Sequence, residues 1–298
     1  MTKKSFLPAI ITIPLLAVAP HAADAAIFRT YVSAFGSDSN LCTASSPCAS
    51  FQAALAQTTA GGEIFVLNSA DYGPVTINKS VTITSEGAVA GVLATTGAAI
   101  TISAGASDVV NLRGLGLDGA NSGSIGIQFV SGKSLTVQKS FVRNFANSGI
   151  TFSPSASATL FVSDTVVSNN GSNGILVSGG SSAVNAALSR VTASGNGVGV
   201  LASGSGVTLS VTDSVASNNT YGIGATASAV MVRNSTASNN SIGISSQTGA
   251  TVRVSQSTVT GNGTGWQATD TSLLQSYRNN SVGGNTTDGA VTQTLALE

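Results

Sequence analysis

Four charged residues, Lys139, Asp164, Arg190 and Asp213, fall at one equivalent position of four successive sequence repeats, and their signs alternate. A cation set between carboxylates is an arrangement in which one side chain could move a proton while its neighbours hold it in place. Alternating signs are also what electrostatics favours in any stack of side chains, because opposite charges one repeat apart relieve repulsion. The column extends to Arg113 on one side and to Asn234, Gln256 and Asn279 on the other. Read as structure, it is a salt-bridge ladder. Read as chemistry, Arg190 or Lys139 is the base and Asp164 and Asp213 are its partners. The ladder is the preferred expectation, because no like charges are forced together to shift a pKa toward catalysis.

A second column, Asn170, Asn196, Asn219, Asn240, Asn262 and Asn285, recurs at intervals of 26, 23, 21, 22 and 23 residues. Asn tolerates left-handed backbone, and stacked amides hydrogen-bond above and below, so a structural Asn ladder at a turn is expected. Among the aromatics, Tyr221 precedes Gly222 and is an exposed candidate for stacking on a sugar. Trp266 takes the position held elsewhere by Ile175, Ile223 and Ile244 and is expected to fill the core. Asp118 and Asn144 align one repeat apart, with no third acid beside them.

Which chemistry is open depends on what the mature chain retains. Lys3 and Lys4, an apolar stretch from Phe6 to Val18 broken by Pro8 and Pro14, and Ala23-Asp24-Ala25 read together as a secretory leader. Cleavage after Ala25 is expected to leave a secreted or periplasmic chain with no membrane span. It also removes His21, the only histidine. The mature chain then has no Ser-His-Asp mechanism and no histidine-ligated zinc open to it, and neither a metal nor a cofactor is expected. Cys42 and Cys48 lie in a Pro-containing loop of an exported chain, so a local disulfide is the favoured reading.

Composition excludes further classes. Of the 298 residues 42% are apolar, and 12 basic residues balance 12 acidic ones, which excludes charge-driven disorder and gives no excess for neutralising nucleic-acid phosphates. Only 8% are charged, so the exterior is largely Ser, Thr, Asn and Gly.

The elements that must hold these columns are short strands. Segments such as Leu160 to Asn170, Leu209 to Asn219 and Met231 to Asn240 superimpose, and Gly174-Ile175, Gly222-Ile223 and Gly243-Ile244 open the strands that follow. A period in the low twenties built from β-branched residues, with Gly and Asn breaking any helical run, predicts a β-solenoid rather than a leucine-rich repeat. Apolar alternation as in Leu135-x-Val137 and Val252-x-Val254 turns one side of each strand to the bore. The outward column between those residues reads Thr136, Phe161, Ala187, Ser210, Met231 and Arg253, too irregular for an ice-binding threonine array. Ahead of the repeats, Ser50 is a plausible N-cap for a helix over residues 51–57, with Phe51, Ala54 and Leu55 on one apolar face. Gly61-Gly62 is expected to end it. The chain thus divides into a leader (1–25), an N-terminal cap with disulfide loop and helix (26–62) and a solenoid (63–298).

The run Pro47 to Leu55, then Gly61 to Val66, then Tyr72-Gly-Pro-Val-Thr-Ile-Asn-Lys-Ser-Val-Thr-Ile83 resembles the opening of pectin-lyase-like right-handed parallel β-helix proteins. The later Asn-Asn-x-x-Gly-Ile units resemble that superfamily's generic right-handed β-helix repeats. The resemblance implies an all-β, right-handed parallel β-helix (a β-solenoid) with a short N-terminal capping helix. It does not carry over an activity. The Gly-His-Gly of polygalacturonase-like hydrolases and the Asp-Pro-His-Asp of alginate epimerases need histidine, and the methylesterase aspartates have no counterpart. Calcium-dependent pectate lyases group several carboxylates around an Arg or Lys base, whereas Asp164 and Asp213 are separated by Arg190. The expectation is therefore a non-catalytic surface, adhesive or carbohydrate-contacting scaffold whose partner is a polysaccharide or cell-surface glycan. The alternative is a pectate-lyase-like enzyme acting on acidic polysaccharide through Arg190 or Lys139 with Asp164 and Asp213.

Overall fold

The computed structural model of the chain describes residues 1–2 and 27–297, so the expected leader and its cleavage site lie outside the described residues save for Met1 and Thr2. The chain winds as a parallel β-solenoid. Each coil lays one strand into each of three parallel sheets, of 12, 10 and 9 strands. One coil runs from Ala158–Ser163 in the twelve-stranded sheet to Val166–Ser168 in the ten-stranded sheet and Asn173–Ser178 in the nine-stranded sheet. Period-two alternation fills the bore: Leu160, Val162, Val167, Ile175 and Val177 are buried, and the coils above repeat them as Leu209, Val211, Ala216, Ile223 and Ala225. Trp266 is buried in register with Ile244.

The outward column is in the register expected from alternation. Thr136, Phe161, Ala187, Ser210, Met231 and Arg253 are consecutive Cα partners in the twelve-stranded sheet.

The N-terminal end has one short helix, Phe51–Gln57, whose first turn is capped by Ser50 accepting from the Ala53 N–H. Phe51, Ala54 and Leu55 are buried in the same core as the solenoid strands, and the Phe51 ring meets Tyr72 at 5.2 Å. Gly61-Gly62 does not end this helix. Thr58 does, turning extended while its hydroxyl donates to the Ala54 carbonyl, and the strand Thr58–Val66 begins at once with both glycines inside it. Gly62 is needed there for close approach, because a Cβ would lie 2.4 Å from the Phe28 carbonyl oxygen.

Cys42 and Cys48 form a disulfide. The bridged loop lies along the outer edge of the first strand, Ile27–Val32: the Tyr31 N–H donates to Cys42, and the Cys48 N–H donates to Tyr31. It thus pairs part of an edge that would otherwise present open backbone groups.

Candidate functional site

The charged column sits at the tight turn that leaves the twelve-stranded sheet. Lys139, Asp164, Arg190, Asp213, Asn234 and Gln256 all have left-handed backbone, with φ between 47° and 53°. The register corrects the two ends of the column. Arg113 lies on a strand opposite Gln138, so the residue equivalent to Lys139 is Gly114, φ 72°. At the other end, pairing of Val254 with Ser276 puts Arg278, φ 64°, opposite Gln256 in place of Asn279. Asn279 instead accepts the Gln256 N–H through its side chain. A turn position filled by Gly, Lys, Asp, Arg, Asn and Gln in successive coils is chosen for its solvent exposure rather than for one chemistry.

Of the expected ladder the structure forms one rung. Arg190 holds Asp164 bidentately, Nε to Oδ1 at 2.6 Å and Nη2 to Oδ2 at 2.9 Å, with both side chains exposed. Asp213 instead accepts from the Asn234 amide at 2.5 Å, and no ion pair of Lys139 or Asp213 occurs among the described residues. The reason is reach: one planar fork saturates the Asp164 carboxylate and leaves its neighbours to act only through space. The Arg190 hydrogen bonds, with its charge and that of Lys139, hold the Asp164 carboxyl below the usual carboxylate range. Asp164, and more weakly Asp213, hold the Arg190 guanidinium above its ordinary value. A base must give up its proton before it can accept one, and this geometry moves Arg190 away from that state.

A depressed carboxylate pKa adds stability above its unfolded value and loses it as pH falls through the folded one. Arg190→Gln should therefore leave the melting temperature unchanged in strong acid, where Asp164 is protonated, and lower it slightly at neutral pH. Melting curves across pH check this. A large neutral-pH loss would mean the pair supports more than a surface turn.

The asparagine column is continuous, buried from Asn170 to Asn262 and half-buried at Asn285. Each Oδ1 accepts both the backbone N–H and the Nδ2 of the asparagine one coil earlier: Asn196 from Asn170 at 3.0 and 3.0 Å, Asn219 from Asn196 at 2.8 and 3.2 Å, Asn240 from Asn219 at 3.0 and 3.1 Å. Asn262 and Asn285 continue it, and Phe145 starts it by donating its N–H to Asn170. Each Nδ2 from Asn196 onward also donates to a carbonyl inside the bore, such as Ala193 for Asn219. The left-handed residue is not the ladder residue but the one before it: Asn169, Gly195, Asn218, Asn239, Gly261 and Gly284. The turn strain thus falls on an exposed residue, and the buried Asn is free to bond.

A third column was not anticipated. Ser140, Thr165, Ser214, Ser235 and Ser257 follow the charged residues, and each hydroxyl donates to the carbonyl two residues back at 2.7–2.8 Å. Each also accepts a backbone N–H from the coil below, as Ser214 does from Val191 and Ser235 from Ser214. The signal is a hydroxyl directly after Lys139, Asp164, Asp213, Asn234 and Gln256, though not after Gly114, Arg190 or Arg278, and Ser and Thr are too common in this chain for it to stand out.

Elsewhere, Asp118 is opposite Arg143 rather than Asn144. Arg143 donates to it at 2.9 Å and the Asn144 amide at 3.1 Å. Burial pushes the Asp118 pKa up, but the Ala120 N–H, Asn144 and Arg143 outweigh it and hold the carboxyl low. No group of three or more His, Cys, Asp or Glu occurs among the described residues in an arrangement that could hold a metal. Among the hollows of the described residues, two lie on the outer faces of the long sheets. One of about 200 Å³ lies on the nine-stranded sheet beside Tyr221, where Gly224 has no side chain. The other, about 320 Å³, lies on the twelve-stranded sheet over Ala187 and Ser210.

No protein-family model and no curated protein matches the sequence. Solved structures do. XylC in complex with xylose superimposes with a TM-score of 0.63 at 7% identity, covering 85% of this chain and 67% of that one. Tailspike protein 2 of Escherichia coli O157:H7 bacteriophage CAB120 gives 0.52 at 12%, covering 76% and 39%. ORF18 of Geobacillus virus E2 gives 0.50 at 14%, covering 85% and 59%. The chain therefore spans less than two thirds of each of the two viral proteins. At these identities the likeness is one of fold: the chain has the right-handed parallel β-helix architecture that its opening residues and repeats resemble.

Proposed function

We propose that the chain is an exported, non-catalytic β-helical scaffold that contacts polysaccharide or a cell-surface glycan through its outer faces. The observation that carries this reading is the bidentate Arg190–Asp164 pair, which occupies the best candidate base with the best candidate acid. Export, with a leader at 1–25, a cap at 26–62 and a solenoid at 63–298, is supported by the Cys42–Cys48 disulfide, since such bonds persist in oxidising compartments. On this reading the helix Phe51–Gln57 closes the N-terminal end of the bore. Contact with sugars is supported by a neutral exterior rich in hydroxyls and amides, and by the fold shared with XylC, which was solved with xylose.

Retention of the purified chain on immobilised acidic and neutral polysaccharides tests the reading. Saturable retention by at least one of them is expected. Elution in the void from all of them would remove the carbohydrate role.

A further inference from the structure

The hollow on the twelve-stranded sheet is built by side-chain size. Along one outward column, Phe161 and Met231 stand at the ends of a gap whose floor is Ala187 and Ser210. Rungs are about 4.8 Å apart, so three rungs separate the two walls by roughly 14 Å between Cα atoms. Thr159, Asn185 and Thr208 edge the hollow on one side, and Arg253 stands one rung beyond Met231. Phe161 is 36% exposed, although larger neighbours could have covered it.

Arg253 is the unusual member. Arg29, Arg113, Arg143 and Arg190 each pair with a carboxylate, and Arg233 and Arg278 donate to Gln256 and Thr294. Among the described residues, Arg253 alone of these arginines has neither an ion pair nor a side-chain hydrogen bond, and no acid lines the hollow. An apolar recess with a few polar groups and one unopposed guanidinium is shaped for an anionic ligand.

We propose that this hollow seats one carboxylate-bearing pyranose of an acidic polysaccharide. The ring face lies over Ala187 and Ser210 between Phe161 and Met231, and the carboxylate meets Arg253. A sugar is favoured over an alkyl carboxylate because Asn185 and Thr208 at the rim would otherwise lose water without gaining a partner. The site is distinct from the Lys139–Asp213 turn, and the inference rests on the scaffold reading.

The test is titration of the intact chain with trigalacturonate, its methyl ester and decanoate, on native protein and on Arg253→Gln and Ser210→Phe. Both positions point outward, so unchanged melting temperatures serve as the folding control. Native protein should bind the acid at least tenfold more tightly than the ester and should not favour decanoate. Arg253→Gln should erase the preference for acid over ester, and Ser210→Phe should abolish binding of both. Unchanged affinity in both variants would overturn the hollow while leaving the scaffold standing. Preference for decanoate would replace the sugar with a lipid. No binding of trigalacturonate by native protein that is still retained on another polysaccharide would also reject the hollow alone.

Discussion

Asn219→Ala should lower the stability of the solenoid by about 3 kcal/mol or more, whereas Asn218→Gly, one residue away, should change it by less than about 0.5 kcal/mol. Asn219 is buried, and its side chain makes four bonds: it accepts the Asn196 N–H and Nδ2 and donates to the Ala193 carbonyl and to Asn240. Alanine leaves the Asn196 N–H and the Ala193 carbonyl without these partners at a position only 5% exposed. Each such group costs about 1–3 kcal/mol. Asn218 is exposed with φ 57°, a conformation glycine adopts freely, so its loss removes little. Denaturant midpoints of the two variants decide the matter, and equal midpoints would mean the ladder adds no stability of its own.

Gly222→Ala should be as damaging, for a steric reason tied to the same ladder. A Cβ at Gly222 would stand 2.5 Å from the Gly243 carbonyl oxygen and 2.8 Å from Asn240 Nδ2, both on the next coil. Neither is the loose end of a flexible side chain, so the coils must part. Gly174, Gly199, Gly243 and Gly265 face the same arrangement, each against the ladder amide one coil above. This is why Gly follows Asn three residues on, or four after Asn170, in the repeat: the glycine leaves room for the next asparagine. Overpacking costs about 1–3 kcal/mol, and forcing the Asn240 amide off its partners adds to it, so a loss of about 3 kcal/mol or failure to fold is expected. Gly180→Ala, where nothing lies within 4 Å of the added methyl, should be near neutral. A Gly222→Ala protein as stable as Gly180→Ala would overturn the packing account.

How much of this the sequence disclosed follows from periodicity. Strand alternation has period two, so the outward column from Thr136 to Arg253 could be read to the residue, and the strand register agrees with it. Turns have no such period. Asn218, not Asn219, carries the αL conformation, and adjacent asparagines are indistinguishable in sequence until one is seen to be buried. At its two ends the charged column passes through Gly114 and Arg278 rather than Arg113 and Asn279, because the neighbouring Gly and Arg satisfy the same turn. Its expected charge ladder shrank to one pair because side-chain reach and bidentate geometry, not sign, decide which carboxylate an arginine takes. The hollow was visible as a run of unequal sizes, Phe161, Ala187, Ser210 and Met231, but its meaning needed the unpaired state of Arg253.

The non-catalytic role of the Lys139–Asp164–Arg190–Asp213 column is tested most directly by incubating native protein and Arg190→Gln with uronic-acid polysaccharides and following the ultraviolet absorbance of unsaturated uronate ends. The expected result is no rise in absorbance from either protein, with both equally retained on the polysaccharide. A rise with native protein that Arg190→Gln loses while still folded would contradict it, and would make Arg190 the base of a lyase.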